Sequence, residues 1–266
     1  MKRERHGAER RRRLASILLA GLLTGLPAVV SAQETWTPLF NGRDLSGWVV
    51  KITGHDLGDD PFGTFRVEDG LLTVRYESYE SFDGRFGHLF HETPYSDYRL
   101  RVEYRFVGEQ VEGGPAWARR NSGVMFHSQA PATMTREQDF PISLELQFLG
   151  GNGEDVRPTA NLCTPGTHVE IAGALVERHC VTAAAPTFQG DVWVTAELVA
   201  RGDSVEHVID GDVVLAYARP VIGGGEVNGH DARHKLDGRP LTGGYIALQS
   251  ESHPIQFRQV LIRPLP

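Results

Sequence analysis

The chain has two cysteines in 266 residues, Cys163 and Cys180, and no CxxC pair, so a cysteine-built metal site is not expected. It has no His-Glu-x-x-His, no Walker loop and no Gly-x-Ser-x-Gly string. Zinc protease, nucleotide hydrolase and α/β-hydrolase chemistry therefore drop out. Beyond residue 32 there is no apolar run of membrane-spanning length, no internal repeat, and no long helical period capped at both ends. A basic stripe is also missing. Residues 1–32 carry seven of the 27 Lys and Arg, leaving 20 basic against 32 acidic residues and a net charge of −12. Such a surface repels phosphate backbones and excludes nucleic acid as a partner.

What the N-terminus does have is a basic head, with Lys2, Arg3, Arg5 and arginines at 10–13, then an apolar stretch over 14–30 that ends in Val30-Ser31-Ala32. That order describes a secretory signal peptide over 1–32, the alternative being an uncleaved anchor. No membrane span is expected after cleavage, and the destination is periplasmic or extracellular. In such an oxidising compartment Cys163 and Cys180 are expected to form a disulfide closing a loop of about 18 residues. The remainder, 33–266, suits one all-β domain.

Strand signals fill that remainder. Polar and apolar residues alternate over 99–106, 122–127, 142–148, 193–200, 204–209, 213–217, 244–250 and 257–262, as half-buried strands require. Asp69-Gly70 and Asp210-Gly211 sit where hairpins turn. Residues 150–180 and 219–240, rich in Gly and Pro, read as long loops. Many short strands with Gly-rich turns point to a β-sandwich or jelly roll.

Alternation also sorts the side chains by face. Glu145 and Gln147 oppose Leu144, Leu146 and Phe148. Gln249 and Glu251 oppose Ile246 and Leu248, and Asn121 and His127 oppose Val124 and Phe126. These three polar faces hold no Lys or Arg. Amides and carboxylates on a pleated surface suit sugar hydroxyls, which both donate and accept. His207 shares its face with Val205 and Ile209, which reads first as a structural residue and second as a catalyst.

Several strings, taken together and in order, resemble the 3-keto-disaccharide hydrolase family. They are Trp36-Thr-Pro-Leu-Phe-Asn-Gly-Arg-Asp-Leu-Ser-Gly-Trp48, Asn121-Ser-Gly-Val-Met-Phe126, Ser143-Leu-Glu-Leu-Gln147, His207-Val-Ile-Asp-Gly211, and Leu248-Gln-Ser-Glu251 followed by Phe257-Arg258. Asp210 stands where the family has Asn. Asn161-Leu-Cys-Thr-Pro-Gly166 and His179-Cys180 resemble the loop of one subgroup.

The resemblance implies a single-domain, concanavalin A-like or laminin G-like β-sandwich (jelly roll) with a carbohydrate substrate. It further implies cleavage of glycosides already oxidised to a ketone at C3, through C2 proton abstraction, elimination and hydration. Carried over by residue, Glu145 and Glu251 are the candidate acid and base, with His207 third. Relatives carry His where this chain has Glu251. Asn121, Gln147, Gln249 and His127 would hold the sugar. Arg258 would either join them or pair with a carboxylate beneath the sheet. A divalent ion, Ca²⁺ or Mn²⁺, would suit a ketone substrate, although no ligand spacing points to one. The competing expectation is a non-catalytic carbohydrate-binding sandwich. Oligomeric state is left open.

Overall fold

Two tight reversals set the strand pairing. Asp69 and Gly70 hold φ of 51° and 78°, and Asp210 and Gly211 hold 52° and 90°. These are the paired positive values of the turn that matches strand twist. Accordingly Phe65–Glu68 pairs with Leu71–Val74, and Ser204–Ile209 with Asp212–Ile222, both antiparallel.

The computed structural model describes residues 35–266, so the signal peptide expected over 1–32 lies outside the described residues. Thr35–Pro266 folds as two antiparallel sheets. In the seven-stranded sheet the order is Cys180–Val181, Asn161–Cys163, Leu144–Leu149, Asn121–Ser128, Tyr245–Ser250, Gly87–His91, Trp48–Ile52. The ten-stranded sheet runs from Ala174–Val176 through Thr167–Ile171, Asp212–Ile222, Ser204–Ile209, Val194–Arg201, Tyr98–Phe106, Ile255–Pro264 and Leu71–Val74 to Phe65–Glu68. Thr37–Pro38 adds to it beside Ile255–Pro264.

The apolar faces found by alternation meet between the sheets. Phe126, Leu146, Phe148 and Leu248 pack against Leu100, Val102, Tyr104, Leu198 and Phe257 in one buried cluster. The Tyr104 and Phe148 rings stack at 4.0 Å. Each such side chain contributes about 1.5–3 kcal/mol on burial, and a one-residue slip of register would forfeit a whole row. The result is a jelly-roll sandwich.

Two expectations need correcting. Residues 150–180 are not one loop, because Asn161–Cys163, Thr167–Ile171, Ala174–Val176 and Cys180–Val181 are strands. They are too short to show a period between the Gly and Pro residues that separate them. The strand expected over 213–217 extends to Ile222, so the second loop starts later than 219. The Cys163–Cys180 disulfide is present, its two residues directly opposite across neighbouring strands.

Candidate functional site

The outer face of the seven-stranded sheet is divided. After Asn121–Ser128 the chain turns back and crosses over the sheet, with a 3-10 turn at Pro131–Thr133. Met134 from this crossing packs onto Phe90, Met125 and Ala247, with Val49, Phe140 and Tyr245 around them. Polar ties hold it down. Lys51 Nζ donates to the carbonyls of Arg136 and Ile52 at 3.1 and 3.0 Å, and Arg136 Nε donates to the Gly54 carbonyl at 2.8 Å. Beneath this roof His88 is fully buried, and desolvation, with Lys51 adding repulsion, presses its pKa down to about 3.

Beyond the roof the same face is open. A cavity of about 630 Å³ is lined by Asn121, Glu145, Gln147 and Glu251. Phe140 borders it on the roofed side, and Pro165, His179 and the Cys163–Cys180 bridge wall another side. Trp117, Arg119, Asn152, Asp155 and Arg157 also contribute. Strand parity thus brings Asn121, Glu145, Gln147 and Glu251 to one hollow.

The two carboxylic acids are the dominant electrostatic feature. Glu145 and Glu251 are 5% and 3% exposed, and Glu145 Oε1 and Glu251 Oε2 have no hydrogen-bond partner in the protein. Burial raises the pKa of both, and for Glu251 the Glu145 charge raises it further. Desolvation penalises each carboxylate, and like charges penalise having both. The pair therefore gives up its protons in two steps, and one carboxyl keeps its proton after the other has ionised. Gln249 is completely buried below the cavity and donates from Nε2 to Glu251 Oε1 at 2.9 Å. It touches the site through Glu251 and does not line it.

Two local devices shape this pair. Gly123 faces Glu145 from the neighbouring strand, and a Cβ there would stand 2.5 Å from Oε1 and 2.9 Å from Cγ. A side chain there would have to push the carboxyl aside, so the glycine makes the room in which it lies. On the other flank Asn161 donates from Nδ2 to Gln147 Oε1 at 3.0 Å. That bond fixes the amide with its oxygen turned to Asn161 and its N–H groups free for a ligand.

Three expected site residues lie elsewhere. His207 sits between the sheets, completely buried, with Nδ1 against the Ala160 carbonyl at 2.9 Å and Nε2 against the Tyr217 hydroxyl at 2.8 Å. Burial holds its pKa down to about 4, and it belongs to the core because its strand is in the other sheet. His127 lies at the far end of its strand, where φ is 46° and the ring meets the Ser96 carbonyl at 3.3 Å. It lines a separate cavity of about 300 Å³ with Leu241 and Tyr245. Arg258 pairs with Glu103 and stacks on Trp193, on the exposed side of the ten-stranded sheet, which matches the carboxylate-pairing alternative.

Sequence reading missed Asn161, Phe140, His179 and Trp117. Asn161 had a signal in the Asn161-Leu-Cys string, but Phe140 comes from a loop and Trp117 from the short 3-10 turn Ala116–Ala118, whose places no periodicity gives. Cys163, His179 and Cys180 bring three ligand-type atoms within 4.8 Å. Both sulfurs are spent in the disulfide, so this cluster offers no thiolate to a metal. No helix among the described residues is long and apolar enough to cross a membrane, and the disulfide is consistent with an exported protein.

Comparison with known proteins now adds to this geometry. No curated protein sequence matches the chain. Among solved structures, two proteins from Parabacteroides distasonis, provisionally named glycosyl hydrolases, share the fold. One is 16% identical with a TM-score of 0.52, over 87% of this chain and 100% of its own. The other is 19% identical with a TM-score of 0.51, over 88% and 95%. At such identities they speak to the fold alone. The model of the 3-keto-alpha-glucoside-1,2-lyase-like domain matches residues 35–263. A match over nearly all the described residues, on a jelly roll whose open face carries a coupled carboxyl pair among amides, places this chain in the 3-keto-alpha-glucoside-1,2-lyase-like family.

Proposed function

We propose that the protein cleaves glycosides whose C3 hydroxyl has been oxidised to a ketone, acting in the periplasm or outside the cell. The ketone acidifies the C2 proton. Glu145, ionised, takes that proton, and the electron pair moves onto the C3 oxygen as an enolate. The enolate reforms the carbonyl as C1=C2 forms and the C1–O bond breaks, and Glu251, protonated, gives its proton to the leaving oxygen. Water then adds across the unsaturated product, and the net change is hydrolysis. The amide N–H groups of Gln147, with Asn121 beside them, supply donors for the developing oxyanion.

The observation that supports this reading is the pair of buried acids, raised together above the ordinary carboxylate range in one amide-lined cavity, where the charge on one holds the proton on the other. Groups whose environments separate their proton affinities are suited to divide acid and base work. The test is to incubate the purified protein with a glucoside and with its 3-keto derivative and to follow aglycone release. Release from the ketone alone supports the proposal. Binding without release would favour a carbohydrate-binding sandwich, and release from the unoxidised sugar would favour a conventional glycosidase.

The same pair sets a pH dependence. Both carboxyls titrate above the ordinary 4.5, so kcat/KM should stay low through pH 5 and rise only as Glu145 loses its proton. It should fall again when Glu251 follows. A profile already flat from pH 4.5 upward would contradict the assignment.

Gly123→Ala should keep the fold but displace the Glu145 carboxyl, because the new methyl needs the space that Oε1 and Cγ fill. A displacement on the order of 1 Å can cost about 10²-fold in rate. Kinetics alongside a near-UV circular dichroism spectrum would check this, and an unimpaired rate would mean the carboxyl has room to spare.

A further inference from the structure

Trp117 is the feature of the cavity that the acid–base chemistry leaves unused. It is 54% exposed, and it is the only aromatic among the large apolar side chains exposed on the described residues. It lies on the cavity lining, four residues before Asn121 on the same stretch of chain. One face of the indole rests on Phe86, with ring centroids 5.9 Å apart and planes within 12°. Phe86 in turn packs on Phe82 at 5.0 Å and on Phe140 at 4.8 Å.

The segment that carries the indole is built in place. Ala118 is completely buried. Gln110 Nε2 donates to the Pro115 carbonyl at 2.9 Å, and Arg157 donates from Nη2 to the Arg119 carbonyl at 2.6 Å. This last bond joins the tryptophan segment to the 150–157 stretch, which also lines the cavity. The aromatic surface is therefore preorganised, and a ring that lands on it meets little ordering cost.

We infer that Trp117 is the platform of the aglycone subsite, the residue that sets how strongly the protein distinguishes a ring leaving group from a small one. The inference rests on the reading above, with the oxidised sugar over Glu145 and Glu251 and the leaving group directed to the cavity mouth. A flat indole binds the apolar face of a second sugar or an aromatic aglycone by stacking, whereas a methyl group offers it almost nothing.

The experiment compares the 3-keto derivatives of methyl glucoside, 4-nitrophenyl glucoside and a glucosyl-glucose disaccharide, using the wild-type protein, Trp117→Ala and Trp117→Phe. The quantity read is kcat/KM for each ring-bearing substrate divided by that for the methyl glycoside. Trp117→Ala should lower this ratio by about 5- to 10-fold, mostly through KM, and Trp117→Phe should restore much of it. A drop in either ring arm supports the subsite, and the arm with the larger drop names the preferred ring. A ratio unchanged in both arms overturns it.

If wild-type protein turns over none of the three ketones, the catalytic reading fails on its own. The subsite is then judged by calorimetric binding of unoxidised 4-nitrophenyl and methyl glucosides to wild type and Trp117→Ala. Tighter binding of the aryl glucoside, lost in the variant, sustains it. Equal binding in both proteins overturns it.

Discussion

Glu145→Gln is expected to slow release from a 3-keto glycoside by about 10²–10⁴-fold, the usual contribution of a positioned base. The amide keeps the shape of the carboxyl but has no basic oxygen for the C2 proton. Stability should move the other way. In the folded protein the Glu145 pKa is raised, so the protonated acid is the form that suits burial. The native state thus loses stability as pH climbs from the ordinary 4.5 through the raised value. The variant escapes that loss, and its melting temperature should exceed that of wild type at pH 8–9 while matching it near pH 4. A residual rate within tenfold of wild type would remove Glu145 from the chemistry, whatever the melting curves show.

The second large effect is expected from Cys163→Ser with Cys180→Ser. From Cys163 the chain leaves the seven-stranded sheet, forms Thr167–Ile171 and Ala174–Val176 in the other sheet, and returns to Cys180. The bridge therefore closes a loop that ties both layers together at one end of the sandwich. A closed loop of this length is worth about 3 kcal/mol through the entropy of the unfolded chain. For a domain of this size that corresponds to a fall of roughly 6–12 °C in melting temperature. Because both cysteines wall the cavity, KM should rise as well. Calorimetry that finds equal melting temperatures would show the bridge to be energetically idle.

The sequence was most informative where one face of a strand meets the core and the other does not. Glu145, Gln147 and Asn121 were placed by parity alone, against Leu146, Phe148 and Val124, and they do line one cavity. Parity failed where both faces are covered. Trp48–Ile52 and Gly87–His91 lie partly under the 129–141 crossing, so Val49 and Phe90 are packed on the outer side as Val50 and Leu89 are on the inner. Such strands show no alternation to read. Parity also says nothing about which sheet a strand joins. His207 and Arg258 have the chemistry of site residues but stand in the ten-stranded sheet, one facing inward and one facing solvent. The roof and the tryptophan segment are loops with short 3-10 turns, positioned by long-range packing that no local pattern encodes.

The crossing at 129–141 also bears on substrate length. In a sandwich with a bare outer face, a polymer can lie across all the strands and extend past both edges. Here Met134 and Phe140 occupy the course such a chain would follow, so the trough stops part-way across the sheet. For the proposed glycoside cleavage the expected consequence is a preference for chain termini and short glycosides over mid-chain linkages.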